Sequence, residues 1–182
     1  PIPGVTDFDT EKTFDNIMHK YKFGGIDKPG IYLDETVMRM CYTHRRLMSQ
    51  LANRLLDEGK VDKAKEVLAK AEKEIPGYNV PHDFQSGSLD LARAYAGTDQ
   101  NKKAQELIDQ LWKKSSQYIQ WYCSLDGTRF ASSQRECMIN LYIMNQLLSL
   151  QDKIDLKKSQ QMEKQMQALS EIYYSKGGSF TE

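Results

Sequence analysis

The chain has 182 residues, enough for one domain with a sizeable core or for a short array of repeated units, and too few to favour two independent globular domains. Its 25 basic and 25 acidic side chains cancel, so no overall field draws it towards nucleic acid or an anionic membrane. Only 40% of residues are apolar, and the longest apolar stretch, CMINLYIMNQLLSL, is interrupted by Asn140, Asn145 and Gln146, which predicts a soluble chain without a membrane span.

The opening PIPGVTDFDT has neither a basic start nor an apolar run, so it does not read as a signal peptide. Two prolines and a glycine predict an extended lead-in, and such a beginning reads as the edge of a fragment cut from something longer. A short amphipathic helix is expected from Glu11 to Tyr21, with Phe14, Ile17, Met18 and Tyr21 at helical spacing. FGGIDKPGIY then breaks it, because three glycines and a proline cannot carry a helix through. Asp34 is the expected N-cap of a long helix reaching about Glu58, with Glu35 favourably placed in its first turn. Val37, Met40, Cys41, Leu47, Met48, Leu51, Leu55 and Leu56 form its apolar stripe, and Gly59 supplies a left-handed end. KVDKAKEVLAKAEKEIP predicts an antiparallel second helix on Val61, Ala64, Val67, Leu68, Ala71 and Ile75, closed by Pro76.

The pattern then recurs. Leu51, Ala52, Leu55, Ala64 and Leu68 are matched forty residues later by Leu91, Ala92, Tyr95, Ala104 and Ile108. A second hairpin is expected over about Gln85 to Ala96 and Asn101 to Ser115, stacked so that alanine lets the backbones approach. In the last third, SLDGTRF reads as a turn at Asp126 and Gly127, and SSQRE offers a capping box between Ser133 and Glu136. Helices should follow to about Leu150, packing Cys137, Leu141, Met144, Leu147 and Leu148, and from about Leu156 to Tyr174, packing Met162, Met166, Leu169, Ile172 and Tyr173. The tail KGGSFTE should fray.

The run LMSQLANRLLDEGKVDKAKEVLAKAEKEIP resembles a tetratricopeptide repeat, with Leu51, Ala52, Gly59, Ala64, Leu68, Ala71 and Pro76 at matching places. The second copy departs from that pattern at Gly97, which falls early, at Ser88, where a large apolar residue is usual, and in lacking a closing proline. Against the usual repeat of about thirty-four residues, the longer interval places about six extra residues in the linker that holds GYNVPHDF. The expected fold is all-α: antiparallel helical hairpins stacked as a short tetratricopeptide-like right-handed array. An N-terminal extension would occupy residues 1–33. The helical domain 34–182 would hold repeat one at about 45–78, repeat two at about 85–118 and a capping helical pair at about 132–175.

The candidate chemistry divides into five groups. In IPGYNVPHDF, His82 and Asp83 have no nucleophile motif beside them, and the preferred reading is a connector in which Asp83 caps the next helix while Phe84 anchors it. Cys41 and His44 lie one turn apart, yet no residues nearby complete a metal site, so no metal and no cofactor is expected; Met38, Met40 and Met48 are taken as core fillers. The three cysteines, Cys41, Cys123 and Cys137, form no even disulfide framework and are read as small buried thiols, with at most one intramolecular bridge. LWKKSSQYIQWYC concentrates Trp112, Tyr118, Trp121 and Tyr122 beside Lys113 and Lys114, either as a hydrophobic junction or as a surface that stacks on sugars, bases or peptide side chains. A repeat array binds through its concave side, here expected to be lined by Arg46, Ser49, Asn53, Leu89 and Arg93.

Taken whole, from YKFGGIDKPGIYLDE through RLLDEGKVDKAKEVL and IPGYNVPHDF to the tail, the chain resembles the soluble C-terminal region of a large Bacteroidetes family of multi-pass membrane proteins of unknown function, related to protein O-mannosyltransferases. That resemblance implies a place in the cell envelope, at the periplasmic face of the inner membrane, with any glycosyltransferase residues in a membrane part beyond this chain. The expected function is a non-catalytic protein or peptide-interaction module, whose partner is a separate protein or peptide or else the membrane part of the same polypeptide. The alternative is an accessory acceptor- or sugar-binding domain of a membrane glycosyltransferase using Trp112, Tyr118, Trp121 and Tyr122. A hydrolase built on Cys41 or His82 is the third reading, and nucleic acid is not an expected partner.

Overall fold

A computed structural model describes residues 9–179; the lead-in expected before Asp9 and the tail from Phe180 lie outside the described residues. Among the described residues the chain is all-α, with seven α-helices and no strand. They are α1 (Thr10–Asp15), α2 (Glu35–Asp57), α3 (Val61–Glu74), α4 (Ser88–Gly97), α5 (Asn101–Ser124), α6 (Gly127–Ile154) and α7 (Leu156–Ser175), and α1 runs on into a π-helical turn over Asn16–Lys20. The chain divides between Leu107 and Ile108 into two compact units. That division falls inside α5.

In the first unit, α2 packs against both α3 and α4, and α1 lies against α2. The local signals work as expected at several ends. Asp34 accepts from the Val37 amide at 2.8 Å, satisfying one of the free donors of the first turn of α2. Gly59, at φ +74, lets Lys60 N–H return to the Leu55 carbonyl at 2.7 Å and closes the same helix. All ten residues of the forty-residue pattern, Leu51, Ala52, Leu55, Ala64, Leu68 and their counterparts Leu91, Ala92, Tyr95, Ala104 and Ile108, are buried. Burial of each large member contributes roughly 1.5–3 kcal/mol. Met40, assigned to the same stripe and to the core, is instead 56% exposed. Leu47 and Leu56 are only partly buried, because a helix in contact with two neighbours still turns part of its surface to water.

The extension before Asp34 is tied down by polar contacts. Glu11 pairs with Lys60 at 2.7 Å and Lys63 at 2.5 Å, and Glu58 accepts from Lys60 at 2.6 Å and from the Thr10 hydroxyl at 2.9 Å. Asn79 donates to the carbonyls of Ile26 and Lys28, and the Tyr78 hydroxyl donates to the Asp27 carbonyl, so the glycine-rich turn is fastened to the linker after α3.

In the second unit α6 and α7 pack together around Phe130, Leu141, Met144, Leu147, Met162, Leu169 and Tyr173. Two expectations are corrected here. Ser133 is no N-cap: α6 already starts at Gly127 with Asp126 at its N-cap position, and the Ser133 hydroxyl donates to the Arg129 carbonyl one turn back. The SLDGTRF turn accordingly shrinks to Leu125 and Asp126, since Gly127 joins the helix. Lys176 to Ser179 are not loose either, because Gly178 N–H bonds the Tyr173 carbonyl and the Tyr173 hydroxyl donates to the Ser179 carbonyl.

Candidate functional site

The linker from Ile75 to Gly87 is built around one buried cation. The Arg45 guanidinium, 1% exposed, donates to the carbonyls of Ile75 (2.8 Å), Val80 (2.6 Å) and Pro81 (3.1 Å) and to Ser86 Oγ (3.3 Å). Burial lowers its pKa to about 10, which still leaves it charged near neutrality. Ser86 Oγ and Ser88 Oγ are 2.8 Å apart, and His82 Nδ1 is 3.1 Å from Ser88 Oγ. A serine beside a histidine has the outline of a nucleophile and base. Ser88 is fully buried, however, and its hydroxyl already sits among His82, Ser86 and the Asp83 amide, so a substrate has no approach. His82 is held at a pKa of about 4, first by burial and then by the Arg45 charge, so it is neutral in ordinary buffers.

Asp83 does not cap α4. That helix begins at Ser88 after Gly87 in the left-handed conformation, while Asp83 Oδ1 accepts from the Gln85 amide inside the turn. Phe84, expected as an apolar anchor, is 37% exposed. The segment is a connector, and Arg45 bonds three of its carbonyls.

The five residues expected to line a concave groove separate. Ser49 and Leu89 are buried and cannot line an open face; Ser49 Oγ donates to the Arg45 carbonyl. Asn53 donates to the carbonyls of Ser49 and Asp90, linking α2 to α4. Arg93 pairs with Asp90 at 3.1 Å, and Arg46 is exposed with its backbone against Gly87. Of the five, Asn53 is the one shown to bond from α2 to a carbonyl of α4, as a polar group facing a neighbouring helix does.

Cys41 is buried and its thiol is pushed up by that burial. His44 meets the rings of Tyr21 and Phe23 edge-on, each at 5.6 Å between centroids, which accounts for it as a packing residue. No group of three or more metal-ligating side chains is present among the described residues.

The aromatic segment is divided by the period of α5. Trp112 faces inward at 8% exposure, its indole N–H donating to Gln165 Oε1 at 3.0 Å. Trp121 is 55% exposed and Tyr118 41% exposed. Tyr122 stacks with Tyr118 at 6.2 Å and leans on Trp121 at 4.8 Å, so the three rings form a cluster on the last turns of the helix. Gln110, Lys113, Lys114, Gln117, Tyr118 and Trp121 share one face of α5, each three or four residues from another of the set, and line an open groove of about 710 Å³. Two lysines and two amides stand in that lining and no carboxylate does. Comparison of the chain with protein-family models, with curated proteins and with solved structures found no match.

Proposed function

We propose that the chain is a non-catalytic interaction module that holds an acidic peptide segment against the outer face of α5. The observation that carries this reading is the exposure of Trp121 and Tyr118 on a groove whose charged lining is wholly basic. Exposed rings give a partner apolar area that is released from water on docking, and Lys113 and Lys114 favour a segment bearing carboxylates. The buried forty-residue pattern and the packing of α2 against α3 and α4 support a finer reading of the fold as tetratricopeptide-like hairpins. The family resemblance supports a place at the periplasmic face of the inner membrane, with the membrane part of the same polypeptide as the source of the peptide. No helix among the described residues is long and apolar enough to cross a membrane, so attachment would rest on a segment beyond this chain.

A second reading is an accessory acceptor- or sugar-binding domain of a membrane glycosyltransferase, favoured by the same Tyr118, Trp121 and Tyr122 cluster, since sugar faces stack on aromatic rings. Trp112, included in that surface on sequence grounds, belongs to the packed side and leaves it. The test uses Trp112→Phe protein, in which Trp121 is the one remaining indole. Its emission is followed during titration with a glutamate- and tyrosine-rich peptide and with a mannose oligosaccharide. The first reading expects a spectral shift with the peptide that weakens with salt and is reduced about tenfold or more in affinity by Lys113→Glu. A response to the oligosaccharide alone transfers the site to the second reading, and silence towards both ends the two together.

A further inference from the structure

The open groove on α5 carries the spacing of a helix-pairing seam. Its lining residues all belong to one helix and to the second unit. Gln110, Lys114, Gln117 and Trp121 succeed one another at four, three and four residues, the alternation that keeps one side of a helix turned towards a neighbouring helix. Lys113 and Tyr118 flank that seam on opposite sides. From Gln110 to Trp121 the seam runs about 17 Å, or about three turns, at a rise of about 1.5 Å per residue. Resting on the acidic-peptide reading of this face, we infer that the segment docks as an amphipathic helix laid along α5, with apolar side chains over Tyr118 and Trp121 and carboxylates against Lys113 and Lys114.

The form of the occupant follows from where its main chain would find partners. An extended segment has a free N–H and C=O at each residue, and it gains affinity by adding to the edge of a sheet. Among the described residues there is no strand to add to. In the middle of α5 the main-chain groups are spent on the helix's own bonds, so an extended chain would meet side chains alone. A helix arrives with its main-chain bonds closed and needs from the groove apolar contact and charge. Its side chains at three- and four-residue intervals then interleave with those of α5, which have the same spacing. The exposed rings stand towards one end of the seam and the lysines towards the other, so the docked helix has both an apolar and an acidic contact. A second copy of the chain offering this same face brings no carboxylate to the lysines. A short segment is a marginal helix in water, so its helix forms on docking.

Three peptides of about twenty residues test this against the Trp112→Phe protein, with Trp121 emission as the reporter. The first has leucine at the seam positions and glutamate at the flanking ones, whose mutual repulsion keeps it from pairing with itself. The second has the same composition in an order without helical spacing, and the third is the first with proline at its centre. The expected result is binding of the first peptide, with circular dichroism of the mixture more helical than the sum of its parts, and affinities about tenfold or more weaker for the other two. Gln117→Leu, which makes the middle of the seam apolar, should tighten the first peptide several-fold and leave the second unchanged. Equal affinity of the three peptides, binding without a gain in helix, or no gain from Gln117→Leu would each overturn helical docking while the acidic-peptide reading stands. Silence of all three while the glutamate- and tyrosine-rich peptide binds does the same, and silence of all four overturns both.

Discussion

Arg45 carries its charge into a place lined by three carbonyls and a hydroxyl, none of them ionised, and holds the linker between α3 and α4 by doing so. Carbonyls in irregular backbone have no ladder to join, and one guanidinium with five donors in a plane can serve several at once. Replacing it by methionine keeps most of the volume and removes every donor. The buried Ile75 and Val80 carbonyls would then lack the partners they have, at about 1–3 kcal/mol each, so Arg45→Met should lose roughly 3 kcal/mol or more in urea denaturation. Arg45→Lys keeps the charge but not the fork and should lose less, about 1–3 kcal/mol. If the methionine variant denatures at the wild-type urea concentration, Arg45 is not what folds the linker.

At the scale of elements, the start of α4 depends on how closely its backbone meets α2. Gly87 has φ +73, and a Cβ there would lie 2.6 Å from Arg46 Cα, a contact with main chain that no rotamer can relieve. Gly59 has nearly the same backbone angle, φ +74, with open space around it. The two glycines separate conformational strain from steric contact. Gly59→Ala should cost only the left-handed strain, about 1–2 kcal/mol. Gly87→Ala should cost clearly more than Gly59→Ala in the same urea series, and equal losses would mean that α4 can move away from α2 freely. This approach was not legible in the sequence, where Gly87 is simply one residue of a linker. What periodicity does reveal is the body of each helix: α2, α3 and α7 span close to where their apolar spacing puts them, although Met40, Val61 and Ile172 of those stripes are exposed. It misses ends that neighbours decide, so α5 runs on to Ser124 and α6 begins at Gly127, with only Leu125 and Asp126 between them. The aromatic site was half legible. Leu111, Trp112, Ser115, Ile119 and Cys123 form the buried stripe of α5, and counting along that helix sets Trp121 off it. The role of Arg45 could not be read at all, because its partners are main-chain carbonyls thirty or more residues away, and a carbonyl leaves no mark on composition.

For the whole molecule, zero formal charge and an isoelectric point near 7.3 mean that self-repulsion is least around neutrality, yet the response of stability to acid is set by particular groups. His82 has a folded pKa of about 4, against its ordinary 6.5, because burial and Arg45 both disfavour its cation. The unfolded chain therefore binds more protons than the folded one between those values, so stability is full above pH 6.5 and falls as pH drops towards 4. The loss is on the order of 2–3 kcal/mol and, since the ring is largely buried, should persist in salt. A second loss begins lower. Glu11 is held at about 2 by Lys60 and Lys63, Asp15 is lowered by Lys20 and His19, and Glu58 is lowered by Lys60 and Thr10, so these carboxylates stabilise the fold above their ordinary values and cease to do so as they protonate. All three are exposed, and salt should weaken their share. Urea midpoints measured from pH 8 to 3 at low and high ionic strength should thus show a salt-insensitive fall between 6.5 and 4, absent in His82→Gln, followed by a salt-sensitive one. A His82→Gln curve parallel to wild type over the first interval would show that the imidazole titrates as it does in water, and that the linker does not enclose it.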